Sequence, residues 1–439
     1  MNIYISGISG TGMGPLALMA KAAGFSVFGS DLAEGAISRE LVSAGISFVT
    51  GPSAQDGKFL AECIDKDGVD WFVYTSALPA DHPELLLARE RGLRISKRDE
   101  LIAFLVDKLG LSMVAVAGTH GKTTTTSMII WACLQLKIPI SYLVGTTLPF
   151  AASGAYNPSS QFLVYEADEY DRNFLHFSPW LAVIVSVSYD HPDIYKTPED
   201  YRLAFRKFEG QSENVIRLSD GVSSEEFELS GKVRREDAAL AAKAVPLMAE
   251  EAGIEVSFDE IVAVLNRFPG SGRRFERICP GVYSDYGHHP EEIAATIELA
   301  SEEASRLGLS GVVAVYEPHQ NVRQTEVFDK YRSAFSGVSH LFWLPTYLTR
   351  EDPSLKIISP EEFIASLDNS EVAEPVSELD NVFGLELKRW RGEGYLILLL
   401  TAGPADSWLR KVFADEAEEE RRNKVDVEGV RQAGEKEQR

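Results

Sequence analysis

Strand-like and helix-like segments alternate at both ends of this chain. Before residue 98, helical stretches of about ten residues separate five segments rich in apolar and β-favouring residues, which are NIYISG, FSVFGSD, ISFVTG, VDWFVYTSA and LRIS. After residue 280 the alternation returns with GVYSDYGHHP, GVVAVYEP, HLFWLP and EGYLILLLTAGP, and with helices predicted over 290–306 and 324–335. Because strands linked by crossover helices pair in parallel, the pattern predicts an α/β fold with largely parallel sheets.

A glycine loop lies between these two regions. The stretch VAVAGTHGKTTTTS (114–127) is a buried strand, a loop and the start of a helix in direct succession. A helix N-terminus attracts phosphate, Lys122 would reach the β- and γ-phosphates of a nucleotide, and the Thr123 hydroxyl would ligate Mg²⁺. The loop is shorter than the common phosphate loop, since Val116 stands where that loop has its first glycine. The predicted ATP-binding residues are Gly118, Thr119, His120, Gly121, Lys122, Thr123 and Thr124; a tight turn with a capping threonine is the alternative.

Acidic residues follow two further strand-like segments, FLVYEADEYD (162–171) and LAVIVSVSYDHPD (181–193). Open parallel sheets bind ligands at the carboxyl ends of their strands, and Mg²⁺ prefers carboxylate and hydroxyl oxygens. Glu166 is therefore the strongest metal-ligand candidate, and His191 ends the next strand. Asp168, Asp190 and Asp193 have an equally good reading as helix caps or turn residues, and His191 can be structural.

Net charge, cysteine content and apolar runs limit the kinds of partner that the protein can have. The net charge of −23, from 66 acidic and 43 basic residues, argues against nucleic acid and means that an anionic ligand must be held by backbone amides and a few placed cations. The three cysteines have no metal-ligand spacing and are predicted to be buried thiols of a reducing cytosol. The longest apolar run, YLILLL, is too short to cross a bilayer, and the N-terminus has no signal-peptide pattern. These features predict a cytoplasmic protein with no membrane partner.

Six short strings together carry a family resemblance. AGTHGKTTTTSM, EADEYD, DHPDIY, GRRFE, DYGHHP and EPHQNVR, in this order, resemble the Mur ligases of peptidoglycan synthesis, and most of all their alanine-adding branch. The resemblance covers residues 1–412. It implies three domains and a tail, namely a Rossmann-like UDP-sugar domain (1–107), a P-loop ATPase-like central domain with a mostly parallel sheet (108–267), a Rossmann-like amino-acid-binding domain (268–412) and a charged, flexible tail (413–439).

The resemblance also implies a reaction. ATP would phosphorylate the carboxylate of UDP-N-acetylmuramate, and the amine of L-alanine would attack the acyl phosphate to give an amide, ADP and phosphate. Such a site must neutralise charge and hold its reactants in attack geometry. ATP and Mg²⁺ are the implied cofactors, and a monomer or homodimer is expected.

Residue roles follow from the same resemblance. Lys122 and Thr123 would bind phosphates and a first Mg²⁺, Glu166 would ligate metal and His191 would serve a second Mg²⁺. The implied UDP-sugar residues are Gly7, Gly10, Thr11, Gly12, Met13, Asp31, Ser76 and Ala77. In the third domain Arg274 and Asp285 would contact the phosphate and ribose of ATP, and the implied amino-acid site is Tyr286, His288, His319 and Arg323. A solvated pair beside a Pro-Gly linker is the alternative for Arg273–Arg274.

The chain departs from the family pattern in several places. The differing positions are Val233, Arg234 and Asp237 near the expected adenine site, Gly51-Pro52 in the first domain and Gln320 in the third. The lysine that some relatives carbamylate has no clear counterpart after His191, which agrees with the alanine-adding branch. The string NKVD (423–426) matches a guanine-reading motif, but no strand precedes it and the match is assigned to chance.

Three alternatives to alanine addition stay open. A recycling ligase of the same family would join the tripeptide L-Ala-γ-D-Glu-meso-diaminopimelate to UDP-N-acetylmuramate; EADEYD and GISGTGMG lean that way, whereas GRRFE, DYGHHP and the histidine after YEP favour alanine. A non-catalytic nucleotide-binding switch would need the phosphate loop but not the His and Arg cluster of residues 274–323. A redox Rossmann domain would account for the first glycine turn but not for the two downstream regions.

Overall fold

The computed structural model describes residues 1–51, 56–191, 194–348 and 354–420, together with residues 54, 351 and 422. The described chain forms two compact units. The first comprises Met1–Leu229 and Val233–Gly272, and the second comprises Ser230–Lys232 and the residues from Arg273 onward. The first unit holds two sheets and the second unit holds one.

The first sheet has five strands, which are β1 (Asn2–Ser6), β2 (Ser26–Asp31), β3 (Ser47–Thr50), β4 (Trp71–Tyr74) and β5 (Arg94–Lys97). Its helices are α1 (Gly14–Ala22), α2 (Ser38–Ser43), α3 (Lys58–Asp67), α4 (Pro83–Glu90) and α5 (Arg98–Leu109). The order is β3-β2-β1-β4-β5, and every neighbouring pair is parallel. The direction of chain progression reverses between β1 and β4, which opens a crevice at their carboxyl ends.

The second sheet contains β6 (Ser112–Ala117), β7 (Ser141–Leu143), β8 (Gly154–Ala155), β9 (Phe162–Glu166), β10 (Leu181–Ile184) and β11 (Asn214–Arg217). Its helices are α6 (Lys122–Gln135), α7 (Pro198–Gly210), α8 (Lys232–Glu251) and α9 (Phe258–Leu265). The order is β11-β10-β6-β9-β7-β8, with β8 antiparallel to β7 and the other pairs parallel. Side chains of β6 alternate between two cores: Val114 and Val116 face one, and Ala115 and Ala117 face the other.

The third sheet contains β12 (Glu276–Cys279), β13 (Val282–Asp285), β14 (Gly311–Glu317), β15 (His340–Trp343), β16 (Ala373–Pro375) and β17 (Tyr395–Thr401). Its helices are α10 (Pro290–Arg306), α11 (Asn321–Glu326), α12 (Pro360–Ile364), α13 (Asn381–Gly392) and α14 (Ala405–Val412). The order is β12-β13-β17-β14-β15-β16, and only the β12–β13 pair is antiparallel among these strands. Short 3₁₀ segments complete the described elements at Tyr170–His176, Ser224–Glu226, Phe328–Ser333 and Ser370–Val372.

The predicted α/β class with three largely parallel sheets is confirmed, and so is the helix over 290–306. Two element predictions are wrong. The helix predicted over 324–335 is broken at Val327, whose φ of −114° is not helical, into α11 and a 3₁₀ segment. The strand predicted over 181–193 ends at Ile184; beyond it, Val185 N donates to Ala117 O at the end of β6, and Ser186 O accepts from Thr119 N of the phosphate loop.

The start of the predicted tail packs on the third sheet. Residues 414–420 are helical, Phe413 and Ala417 are buried in the core beside α13 and α14, and Lys388 pairs with Glu416 at 3.0 Å. The string NKVD, Pro52 and Asp193 lie outside the described residues. The domain boundaries after 107 and 267 stay predictions.

Two further properties concern the whole of the described part. No helix there combines the length and the apolar character needed to span a bilayer. The three cysteines, Cys63, Cys133 and Cys279, are buried free thiols, and burial raises the pKa of Cys63 and Cys279 to about 11.

Candidate active site

The loop after β6 is tightly shaped by the chain that follows β10. Gly118 and Gly121 have φ values of +149° and +82°. A Cβ on Gly118 would lie 2.8 Å from the Ser186 backbone nitrogen, and one on Gly121 would lie 2.6 Å from Asp237 Oδ1. Both positions therefore require glycine for conformation and for space.

Polar side chains fix this loop. Thr119 Oγ1 donates to Ser188 O at 2.6 Å, accepts from Ser188 N at 2.9 Å and lies 2.8 Å from the Tyr201 hydroxyl. His120 N donates to Ser186 Oγ at 2.9 Å. Helix α6 begins at Lys122 without a side-chain cap, so its first-turn amides, which include that of Thr124, point to where an anion can bind.

Lys122 is paired with a carboxylate that the sequence did not single out. Its Nζ lies 2.9 Å and 2.8 Å from the two carboxylate oxygens of Glu169 and also donates to the carbonyls of Gly118 and Thr119. Burial alone would lower the pKa of Lys122, but Glu169 and the nearby Asp168 carboxylate raise it above its usual value. Burial opposes ionisation of Glu169, yet Lys122 and His191 hold its pKa below the usual range. The pair is therefore a buried, ionised contact.

A second pair, Thr123 and Glu166, lies at the neighbouring strand end. Thr123 Oγ1 donates to Glu166 Oε1 at 2.7 Å, and the Gly145 amide donates to Glu166 Oε2 at 3.1 Å. A hydroxyl and a carboxylate side by side at the edge of a parallel sheet form a hard oxygen donor set, which fits Mg²⁺.

His191 contacts the carboxylate of the lysine pair. Its Nε2 lies 3.7 Å from Glu169 Oε1 and 3.7 Å from Asp190 Oδ2, and its ring packs edge-on against Tyr170 at 5.1 Å. Asp168 accepts from Tyr170 N at 3.0 Å, so it does cap a turn, and burial next to Glu169 raises its pKa. The predicted residues of the central domain thus converge on one sheet edge, with Glu169 at their centre.

The glycine turn after β1 occupies the crevice of the first sheet. The amides of Gly7 and Ile8 donate to Ser30 O, at 2.8 and 3.1 Å. Asp31 accepts from the Ser9 amide at 2.8 Å and from the Leu32 amide at 2.7 Å, so it holds the turn in place. Helix α1 starts after Met13 with no side-chain cap. The remaining predicted residues of this site are Gly10 and Thr11 and Gly12 within the turn, and Ser76 and Ala77, which are exposed beyond the end of β4.

In the second unit the predicted residues form two adjoining groups. Asp285 ends β13 and accepts from the amides of Phe275 at 2.6 Å and Gly287 at 2.7 Å. Burial raises its pKa, and Arg274 counteracts the rise. The guanidinium carbon of Arg274 lies 5.0 Å from the ring centre of Tyr286, and that of Arg273 lies 4.9 Å from it on a cation–π contact.

The second group surrounds His288. Its ring lies 5.4 Å from that of Tyr286 and 5.8 Å from that of His319. Burial and the neighbouring Arg323 lower the pKa of His288 to about 3. Its Nδ1 lies 3.0 Å from Tyr286 O, which can only accept, so the neutral ring carries its proton on Nδ1 and an acceptor lone pair on Nε2. Gln320 directly precedes α11 with a φ of +63° and makes no side-chain cap.

Two contributing residues were missed from the sequence. Glu169 lies among four acidic residues in EADEYD, and only the end of β9 at Glu166 decides which of them reaches Lys122. Arg98 follows β5, and the sequence gives no sign that its side chain reaches the glycine turn 86 residues earlier, where a Cβ on Gly12 would lie 2.6 Å from Arg98 Nη1. An arginine at the carboxyl end of a parallel strand is the signal that was available.

Comparisons with known proteins agree with this architecture. The model of the Mur ligase family catalytic domain matches residues 2–108, and that of the Mur ligase middle domain matches residues 116–236. The UDP-N-acetylmuramate--L-alanine ligase of Fusobacterium nucleatum is 29% identical over 419 residues, which is 82% of this chain and 86% of that protein. The protein of the same name from Paenarthrobacter aurescens is 32% identical over 400 residues, with coverage of 80% and 84%.

Solved structures show the same fold at lower identity. The UDP-N-acetylmuramate-alanine ligase of Thermotoga maritima superposes with a TM-score of 0.74 at 22% identity, over 94% of this chain and 99% of that one. A murein peptide ligase from Psychrobacter arcticus gives a TM-score of 0.61 at 22% identity, over 95% and 99%. Identity of 32% with a relative that is matched over most of its length, together with the two domain matches, establishes that the chain belongs to the Mur ligase family.

Proposed function

We propose that the chain joins L-alanine to UDP-N-acetylmuramate in an ATP-dependent reaction that proceeds through an acyl phosphate. The observation that carries the proposal is the edge of the second sheet, where a short glycine loop presents Lys122 beside Glu169 and Thr123 beside Glu166. The two relatives named UDP-N-acetylmuramate--L-alanine ligase, which align over at least 80% of this chain, support the choice of substrates.

The loop fits a triphosphate. Gly118 and Gly121 let the backbone approach an anion, and the uncapped start of α6 supplies amide donors. Thr123 and Glu166 would hold Mg²⁺, which when bound supplies positive charge beside the triphosphate. Lys122 is already protonated, because the charge of Glu169 raises its pKa. A phosphate oxygen can therefore take the place of that carboxylate without any change in the protonation of Lys122.

The chemistry requires two displacements. A carboxylate oxygen of the sugar nucleotide attacks the γ-phosphorus and ADP leaves; the amine of alanine then attacks the acyl carbon, phosphate leaves and the nitrogen loses a proton. Lys122 would stabilise the charge on the transferring phosphoryl oxygens. His191 contacts Glu169 and would help to hold the lysine pair in position.

The roles of the second unit are part of the proposal. Arg274 and Asp285 would contact ATP, and Tyr286, His288, His319 and Arg323 would surround L-alanine. The neutral His288, with its Nε2 as acceptor, suits an amine N–H donor. We place the reaction in the cytoplasm, where ATP and nucleotide sugars are available, and a monomer or homodimer stays a prediction.

A phosphate-release assay tests the function. With ATP, Mg²⁺ and UDP-N-acetylmuramate, release should require L-alanine and should be lost in Lys122→Met, whereas Lys207→Met, which removes an exposed lysine of α7, should behave as the unaltered chain. Release with the tripeptide but not with L-alanine would replace the proposal with the recycling activity. ATP hydrolysis that ignores the sugar nucleotide would favour the nucleotide switch.

A further inference from the structure

Anion binding in the first domain poses an electrostatic problem. This inference rests on the proposed function, since UDP-N-acetylmuramate carries two phosphates into a protein with a net charge of −23. The glycine turn that begins at Gly7 and continues into α1 contains no lysine or arginine before Lys21. Backbone amides alone would therefore face the diphosphate, and a cation from another element is needed to balance its charge.

Arg98 is such a cation. It is the first residue of α5, and its guanidinium packs directly on the turn, because a Cβ on Gly12 would lie 2.6 Å from Nη1 and 3.7 Å from Cζ. The Arg98 side chain is 23% exposed. It is therefore largely desolvated and still open to a ligand, which is where a charged hydrogen bond to phosphate is strongest.

Two carboxylates hold this guanidinium loosely. Arg98 Nε lies 3.4 Å from Asp99 Oδ1, and Nη2 lies 3.7 Å from Asp168 Oδ2. Both separations exceed the usual length of a charge-assisted hydrogen bond, about 2.8 Å. Nη1 makes no hydrogen bond to the part of the chain that the structure describes. The carboxylates thus keep the side chain extended over the turn and leave its donors on the Gly12 side available.

The surrounding charges point the same way. Lys97 pairs with Asp171 at 3.5 Å, so the basic residues after β5 face the acidic segment after β9. Asp31, the acidic residue of the turn itself, is occupied by the Ser9 and Leu32 amides. The guanidinium of Arg98 lies beside the Gly12 backbone that leads into α1, and the two together offer a fork of N–H donors and a row of amides.

We propose that Arg98 binds the diphosphate of the sugar nucleotide, together with the amides at the start of α1. The guanidinium would form paired hydrogen bonds to phosphate oxygens across the Gly12 backbone, and Gly12 lacks a side chain so that this approach is possible. The assignment makes Arg98 a binding residue for any uridine diphosphate compound and not a reader of the muramate carboxylate.

Calorimetric titration of UDP and of UDP-N-acetylmuramate tests the assignment. Arg98→Met should weaken both ligands equally, by roughly 10- to 100-fold, as expected for a lost charge-assisted contact. Arg98→Lys keeps the positive charge but not the planar fork of donors. Its affinity for both ligands should lie between that of the unaltered chain and that of Arg98→Met. Gly12→Ala keeps Arg98 but pushes Nη1 aside, and it should weaken both ligands without further loss in the Arg98→Met background. Arg91→Met, which removes a surface cation paired with Asp65, is the matched control.

The possible outcomes separate the two proposals. Unchanged affinity for UDP in Arg98→Met overturns the diphosphate assignment, and so does weakening that is confined to UDP-N-acetylmuramate, since that result would point to the carboxylate. If the unaltered chain binds UDP but not UDP-N-acetylmuramate, the proposed function fails while Arg98 is still judged by UDP. If it binds neither compound, both proposals fall. Thermal unfolding of each variant confirms that the fold is retained.

Discussion

The turn after β1 and the loop after β6 share one local design and differ in how they obtain charge. Each follows a central parallel strand and leads into a helix without a side-chain cap. The loop after β6 carries its own cation, Lys122, which is buried against Glu169. The turn after β1 contains no cation, and the nearby guanidinium is that of Arg98 from α5.

This difference shows that strand, glycine turn and helix specify an anion site but not its chemistry. At the second sheet, carboxylates Glu166 and Glu169 surround the loop and suit a metal-bound triphosphate that reacts. At the first sheet, the carboxylate of the turn, Asp31, accepts from the Ser9 and Leu32 amides, and this arrangement suits a phosphate that is only held. The predictions below test each side of that comparison.

Removal of Lys122 should have the largest effect. Lys122→Met should lower the rate of alanine-dependent phosphate release by roughly 10³-fold, because a fixed positive charge is lost from the transferring phosphoryl group. Binding of UDP should not change, since the cation next to the first-domain turn is Arg98 and not Lys122. Steady-state kinetics and calorimetry measure the two effects. Equal loss of UDP binding would contradict independent sites.

Separation of Lys122 from Glu169 should be the next largest effect. Glu169→Gln should reduce the free energy of unfolding by roughly 3 kcal/mol, because Lys122 is left charged and without its buried partner. The double variant Lys122→Met, Glu169→Gln should regain much of that stability while staying inactive. Urea titration of the single and double variants gives the coupling, and strictly additive losses would exclude a paired contact.

The same glycine substitution should have different results at the two turns. Gly121→Ala should cost roughly 2 kcal/mol of stability, because its φ of +82° is unfavourable and the new Cβ would meet Asp237 and Val185. Gly12→Ala should cost about 0.5 kcal/mol or less, since only the end of the Arg98 side chain has to move. Thermal unfolding compares them, and similar losses at both sites would show that the turns are equally rigid.

The effect of the neutral His288, which follows β13, appears only on acidification. Its pKa of about 3 in the folded chain lies below the ordinary value, so the unfolded chain takes up a proton first as the pH falls. Stability should therefore decline on acidification below about pH 6.5, by roughly 1 kcal/mol between pH 6 and pH 5. His288→Asn keeps a donor for Tyr286 O and should lack this part of the decline. Parallel pH profiles of the two proteins would show that His288 is not held neutral.

Local chemistry determined how well the fold could be predicted. The helix over 290–306 was predictable because it begins with proline and has a regular apolar face. The helix over 324–335 was mispredicted, because nothing in its side-chain pattern indicates the non-helical backbone at Val327. The strand after residue 181 stops at Ile184: Val185 still bonds to Ala117 at the end of β6, but Ser186 bonds to Thr119 of the phosphate loop, a tertiary contact that the local sequence does not reveal.

The candidate site was predictable where one segment supplies both shape and chemistry. Gly118 to Thr123 is such a segment, and Glu166 follows from the end of β9. Glu169 and Arg98 depend on distances between elements that are far apart in sequence, so pattern reasoning identified their surroundings and not their roles.

Isotope transfer tests the central claim most directly. UDP-N-acetylmuramate labelled with ¹⁸O in its carboxylate should be incubated with ATP, Mg²⁺ and L-alanine, and the released phosphate should be analysed by mass. When the amine attacks the acyl phosphate, the bond between the acyl carbon and the bridging labelled oxygen breaks. Each released phosphate should therefore carry one ¹⁸O from the substrate. Phosphate that forms at the same rate without label would contradict activation of the carboxylate at the loop of Lys122.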